Sequence, residues 1–159
     1  MAEIGMPAAA GELRLARLVV IGLGLIGGSF AKGLRESGYC GEVVGVDLNA
    51  ESCRLAVELG VVDRCEEDLV AACAGASLIV LAMEKLLGQL GQLDLGQAVL
   101  TDVGSAKGSI LQAAERGMPQ YLSRFVPGHP IAGSEQSGVE ACDSKLFRRH
   151  RVILTPGAT

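Results

Sequence analysis

Tryptophan is absent from the 159-residue chain, and three phenylalanines with two tyrosines supply few flat rings on which nucleic-acid bases could stack. Positive charge is not in excess either. Fourteen Lys and Arg against 18 Asp and Glu give a formal net charge of −4 and a pI near 5.2, which removes the electrostatic pull toward polyanions and anionic membranes. There are only two histidines, and the five cysteines (Cys40, Cys53, Cys65, Cys73, Cys142) contain no CxxC pair, so the ligand spacing of a metal site is missing. An odd number of cysteines inside apolar segments reads as buried, reduced thiols, as expected of a cytoplasmic protein. Residues 1–14 hold no long apolar run behind a basic start, so they read as a flexible extension and not as a signal peptide or membrane span.

What remains is aliphatic and glycine-rich: 49% of residues are hydrophobic and 22 are glycine, enough apolar material for one buried core. A small molecule is the expected partner. Leu18–Ile21 and Val43–Val46 are nearly all apolar, as strands covered on both faces of a parallel sheet would be. Between them Ile26, Phe30 and Leu34 recur at helical spacing, and Gly38 supplies a stop. The alternation continues. Asn49 can cap a helix ending at Leu59, Val61-Val62 reads as a short strand, and Asp68 can cap a helix over 69–74. Strands are expected at 78–81, 98–101, 124–126 and 151–154, with helices over 83–90 and from Ser105 to Arg116. This is the pattern of a doubly wound, mostly parallel α/β sheet over residues 15–159.

Gly22-Leu23-Gly24-Leu25-Ile26-Gly27 follows a strand and opens a helix, the context in which G-x-G-x-x-G binds a dinucleotide. The first glycine allows the turn, the second lets backbone approach a pyrophosphate, and the third packs helix on strand, while the helix start offers free N–H groups. Asp47 ends the second strand twenty residues past Gly27, where a carboxylate binds ribose hydroxyls and repels a 2′-phosphate, favouring NAD over NADP. Against this, Arg54 could neutralise such a phosphate, and Asp47 could be a turn residue only.

Asp102-Val103-Gly104-Ser105 is again a strand running into a glycine and a helix cap, for which Ser105 needs no ligand. Yet Gly22, Asp47, Asp102, Ser105 and His129 all fall at the carboxyl ends of strands, the edge on which open α/β sheets bind ligands. His129 lies in Val126-Pro127-Gly128-His129-Pro130, where a strand gives way to glycines and prolines. A neutral imidazole there can take the hydroxyl proton as hydride leaves an alcohol carbon. Ser134 and Glu135 can bond substrate or fix that imidazole, or stand in a solvated loop. His150, amid Arg148, Arg149 and Arg151, reads as part of a charged segment before the last strand.

The motifs Gly22–Ser29, Asp102–Lys107 and Gly128–Gly138, with Leu146-Phe147 and Val152–Pro156 after them, resemble the nucleotide-binding domain of prephenate/arogenate dehydrogenases. The resemblance implies a Rossmann-type domain, NAD, and oxidative decarboxylation of prephenate to 4-hydroxyphenylpyruvate or of arogenate to tyrosine. It implies that His129 is the catalytic histidine on the ring hydroxyl and that Ser105 lies near nicotinamide and substrate. Gly22, Gly24, Leu25, Ile26, Gly27, Asp47 and Ala82 would border the cofactor, and Ser134 and Glu135 the substrate, the acidic residue helping to gate the pocket.

Two departures accompany it. The family's helical domain, which dimerises and binds the substrate carboxylates, does not follow Thr159, so an exposed apolar surface is expected. The family's Ala-Val-Pro-type turn after the fourth strand is shortened here to Ala82-Met83, which predicts weakened NAD binding. Two alternatives carry different expectations: a non-catalytic dinucleotide-binding module, and another dehydrogenase with the same glycine pattern, such as a 3-hydroxyacid dehydrogenase.

Overall fold

The computed structural model describes residues 14–104, 107–133 and 135–155. Among the described residues seven strands form one sheet: β1 (Leu15–Ile21), β2 (Cys40–Val46), β3 (Arg64–Cys65), β4 (Leu78–Leu81), β5 (Val99–Asp102), β6 (Phe125–Pro130) and β7 (Val152–Leu154). Their order is β3-β2-β1-β4-β5-β6-β7, parallel throughout except for β7, which runs antiparallel to β6. The chain therefore winds outward from β1 in one direction and from β4 in the other, and the crevice between them opens at the strands' carboxyl ends.

Side-chain alternation divides the core into two layers. Leu18 and Val20 of β1 and Val80 of β4 pack under α1 (Leu25–Glu36) and α2 (Ala50–Glu58) with Ala31 and Ala56. Val19, Ile21, Ile79 and Leu81 point to the other face, under α3 (Leu69–Cys73), α4 (Leu87–Leu90) and α5 (Lys107–Gly117), against Leu90, Ile110 and Ala114. Each of these β1 and β4 side chains is at most 2% exposed, and full burial of one such side chain is worth about 1.5–3 kcal/mol.

The helix starts follow the expected chemistry. Asn49 Oδ1 accepts from the N–H groups of Glu51 (2.9 Å) and Ser52 (3.3 Å), and Asp68 Oδ1 accepts from Val70 N–H (3.1 Å). The Ser105 cap lies outside the described residues. Several elements differ from the sequence reading. The third strand is Arg64–Cys65, beside Val44 and Gly45, whereas Val61 and Val62 form a turn after Gly60 (φ +65°) and bury their side chains beneath α2. Both of their N–H groups reach Ala56 O, so no ladder is left for them to join. Over 83–90 there is no continuous helix. A 3₁₀ turn at Glu84–Leu86 precedes one turn of α4, because Met83 stays extended (φ −144°) after the strand.

The strand carrying His129 also runs further than expected. Arg124 belongs to a preceding 3₁₀ turn, and β6 continues through Pro130 because β7 folds back to pair His129 with Ile153. His129 is a strand residue near a strand end, not part of an open loop. On the outer edge, Val152, Ile153 and Leu154 of β7 are each more than half exposed.

Candidate functional site

The first turn of the sheet is shaped by what its glycines leave out. Gly22 has φ +99°, which favours glycine, and a Cβ there would lie 3.0 Å from the Ala82 carbonyl carbon. At Gly27 a Cβ would fall 2.0 Å from Gly22 O and 2.9 Å from Ala82 Cβ, so α1 starts directly against the β1–α1 turn. Gly24 differs from both. It caps α1 without a side-chain hydrogen bond, it is exposed, and a Cβ on it would meet nothing within 4 Å. Glycine at this position is therefore not required by the protein's own packing. The space beside it, over N–H groups at the start of a 12-residue helix, suits an anionic ligand that approaches the backbone.

Asp47 follows β2 and is half-buried. Its Oδ2 accepts from Leu23 N–H at 2.7 Å and its Oδ1 from Asn49 N–H at 2.8 Å, joining the glycine turn to the start of α2. Each oxygen keeps a further acceptor site for a hydroxyl. Both the turn role and the ligand role are open to it at once. Arg54 is held on the α2 surface, its Nε donating to Glu51 Oε2 at 2.9 Å and a second nitrogen to Glu58, so its charge is already countered. That lowers its value as a phosphate ligand.

A cavity of about 360 Å³ lies at the end of the crevice, lined by Ile26, Ala82, Val103, Gly104, His129, Pro130 and Ala132. It joins the start of α1 to the ends of β4, β5 and β6. Half-buried His129 faces it, and among the described residues no protein group hydrogen-bonds the imidazole. Its ring nitrogens are thus free for a ligand. A larger apolar groove of about 610 Å³ lies between α1 and β6–β7, with Phe30, Leu34, Phe147 and Leu154 in its lining, but His129 is not among the residues around it. The convergence of helix start and imidazole, and not volume, marks the smaller space as the candidate reaction site.

Of the residues expected here, Gly22, Gly24, Leu25, Ile26, Gly27, Asp47, Ala82 and His129 stand along the crevice edge. Glu135 is exposed on the loop after β6, and Ser105 and Ser134 lie outside the described residues. Asp102, read as one of the ligand-edge candidates, is 1% exposed and turns its carboxylate to backbone N–H groups. Two contributors escaped the sequence reading. Cys142 Sγ contacts Gly24 O at 3.5 Å and would sit 2.2 Å from a Cβ on Gly28, and Asp143 N–H donates to Ser29 Oγ at 2.9 Å. The segment after the β6 loop thereby braces the helix start across more than a hundred residues of chain, and no local pattern encodes such a contact.

Thiol chemistry is disfavoured. Burial pushes the Cys40, Cys65 and Cys142 thiols up, and Cys73 up to about 11, so they stay protonated near neutrality. Among the described residues no group of three His, Cys, Asp or Glu could hold a metal ion, and no helix is long and apolar enough to cross a membrane.

The family model for the nucleotide-binding domain of prephenate dehydrogenase matches residues 30–159. Prephenate dehydrogenase of Bacillus subtilis (strain 168) is 34% identical over 146 residues, 88% of this chain and 39% of that protein. Among solved structures, prephenate dehydrogenase from Aquifex aeolicus in complex with hydroxyphenyl propionate and NAD+ superposes with a TM-score of 0.79 at 35% identity, over 92% of this chain and 52% of that one. Synechocystis arogenate dehydrogenase gives 0.76 at 35% identity, over 89% and 50%. The chain spans about half the length of these relatives or less.

Proposed function

Because the chain belongs to the family of prephenate dehydrogenase nucleotide-binding domains, we propose that it is the cofactor-binding half of an NAD-dependent prephenate or arogenate dehydrogenase of tyrosine biosynthesis, acting in the cytoplasm. The observation that carries this reading is the shared lining of one cavity by Ile26, at the start of the phosphate-binding helix, and His129.

In this reading the N–H groups at the start of α1 hold the pyrophosphate, and Gly24 lets it come close. Asp47 accepts the adenosine ribose hydroxyls and repels a 2′-phosphate, which selects NAD, and the pairing of Arg54 with Glu51 and Glu58 reinforces that choice. Ala82 and Ile26 form the wall on which the nicotinamide end rests. When bound, NAD supplies the hydride acceptor, and aromatisation with loss of carbon dioxide drives the reaction forward. His129 accepts a hydrogen bond from the ring hydroxyl of the substrate and takes its proton as the hydride departs. Ser105 stands beside nicotinamide and hydroxyl, while Ser134 and Glu135 border the substrate. The carboxylates of the substrate and the dimer contact fall to a helical domain of the longer protein.

The test is His129→Asn in a longer protein carrying this domain, assayed with prephenate and with arogenate. Turnover is expected to be lost with NAD binding retained. Retained turnover overturns the reading, and binding of NAD without turnover by the unmodified longer protein favours a non-catalytic module.

A further inference from the structure

Asp102 and Ser29 are the buried polar residues among those described, and Asp102, at 1% exposed, carries the only carboxylate so placed. Its position in the sheet explains why a carboxylate is there. The β5–β6 ladder ends with Asp102 opposite Pro127, after which β5 turns away while β6 continues to Pro130. The next N–H on β6, that of buried Gly128, has no β5 residue left beside it. Asp102 Oδ1 takes that donor at 3.1 Å, and Oδ2 takes Gly104 N–H at 2.9 Å.

Both donors are glycines that touch the same residue. A Cβ on Gly128 would lie 3.0 Å from the Asp102 carbonyl oxygen, and one on Gly104 would lie 3.3 Å from Oδ2 with nothing else nearby. Each glycine stands immediately before a candidate reaction-site residue: Gly128 before His129, and Gly104 before Ser105. A single buried carboxylate thus spans the two backbone segments from which those side chains arise.

We propose that Asp102 is a positioning residue, whose carboxylate fixes the stem of His129 relative to the Gly104 turn at the end of the crevice. It acts through the backbone N–H groups of Gly128 and Gly104. The clamp stands on the hydrogen bonds above, and only its value for turnover rests on the proposed dehydrogenase activity. A second cross-strand tie nearby, Thr101 Oγ1 donating to Val126 O at 2.7 Å, lies three residues before His129 and serves as a structural comparison.

The experiment uses the 159-residue chain labelled at histidine and followed by NMR, in the variants Asp102→Asn, Gly104→Ala and Thr101→Val, with thermal unfolding measured for each. Gly104→Ala crowds the Asp102 carboxylate, whose Oδ2 would lie 3.3 Å from the added Cβ, so it keeps the test alive if Asp102→Asn does not fold. The expected result is that Asp102→Asn and Gly104→Ala shift the His129 resonances, whereas Thr101→Val lowers the melting temperature without shifting them. Unshifted His129 resonances in Gly104→Ala, or an equal shift in Thr101→Val, overturn the proposal. In the longer protein, Asp102→Asn is expected to lower kcat at least ~10-fold with KM for NAD within about twofold, as loss of reacting-group alignment does; unchanged kcat also overturns it. If the unmodified longer protein oxidises neither prephenate nor arogenate, the functional reading fails while the NMR result still decides the clamp.

Discussion

Gly24→Ala separates a glycine kept for a ligand from one kept for the fold. Gly24 has φ −71°, which alanine adopts freely, and its added methyl group would meet no atom within 4 Å. The cost to folding is confined to exchanging glycine for the poorer N-cap alanine, about 1 kcal/mol at most. For a domain of this size that lowers Tm by about 2–4 °C. The effect on NAD is expected to be larger. If the pyrophosphate lies against this backbone, the methyl group occupies its space, and overpacking of that kind costs about 1–3 kcal/mol. That corresponds to roughly 5- to 150-fold weaker binding, measurable by titration calorimetry of the two proteins at equal folded fraction. An unchanged Kd in Gly24→Ala would refute the placement of the pyrophosphate, however well the fold matches its relatives.

Gly28→Ala is expected to destabilise the domain by about 1–3 kcal/mol, since its Cβ would fall 2.2 Å from Cys142 Sγ; adding Cys142→Ala should restore most of the loss, and additive denaturation midpoints would contradict the contact. Asp47→Ser should narrow the preference for NAD over NADP at least ~10-fold in paired titrations, the sign expected when a carboxylate no longer opposes a 2′-phosphate; an unaltered ratio argues for a turn role alone. Lengthening the Ala82-Met83 turn to the Ala-Val-Pro type should tighten NAD, and equal affinities by calorimetry sink that idea. The Cys73 thiol ionises near 9.0 when exposed and near 11 in the fold, so between those pH values the unfolded chain binds fewer protons. Stability should then fall as pH rises through that window, by up to roughly 1.4 kcal/mol per unit, and Cys73→Ala should flatten the slope measured by urea unfolding.

What could be read in the sequence was local. The glycine turn, the Asn49 and Asp68 caps and the apolar strands of the central sheet depend on residues within one or two turns of each other, and the alternation of strand and helix then dictates the doubly wound order. Val61-Val62 misled because two buried valines look alike in a strand and in a turn that plugs a core. His129 read as a loop residue because prolines and glycines surround it, and only the return of β7 over a distant segment makes it part of a strand. The Asp102 clamp was invisible for the same reason: the donor it satisfies at Gly128 is 26 residues away and exists only once the ladder has ended. The Cys142 brace on α1, 118 residues from Gly24, is a product of tertiary packing with no periodic trace.

The central claim is that one crevice carries both the pyrophosphate site and His129, and an NAD+ titration of this chain followed by backbone and histidine NMR tests it most directly. Saturable shifts are predicted for the amides of Gly24 to Gly27 and for the His129 ring, with a common Kd. Shifts that never saturate, or that fall around Phe30 and Phe147 in the larger groove and spare His129, would contradict it.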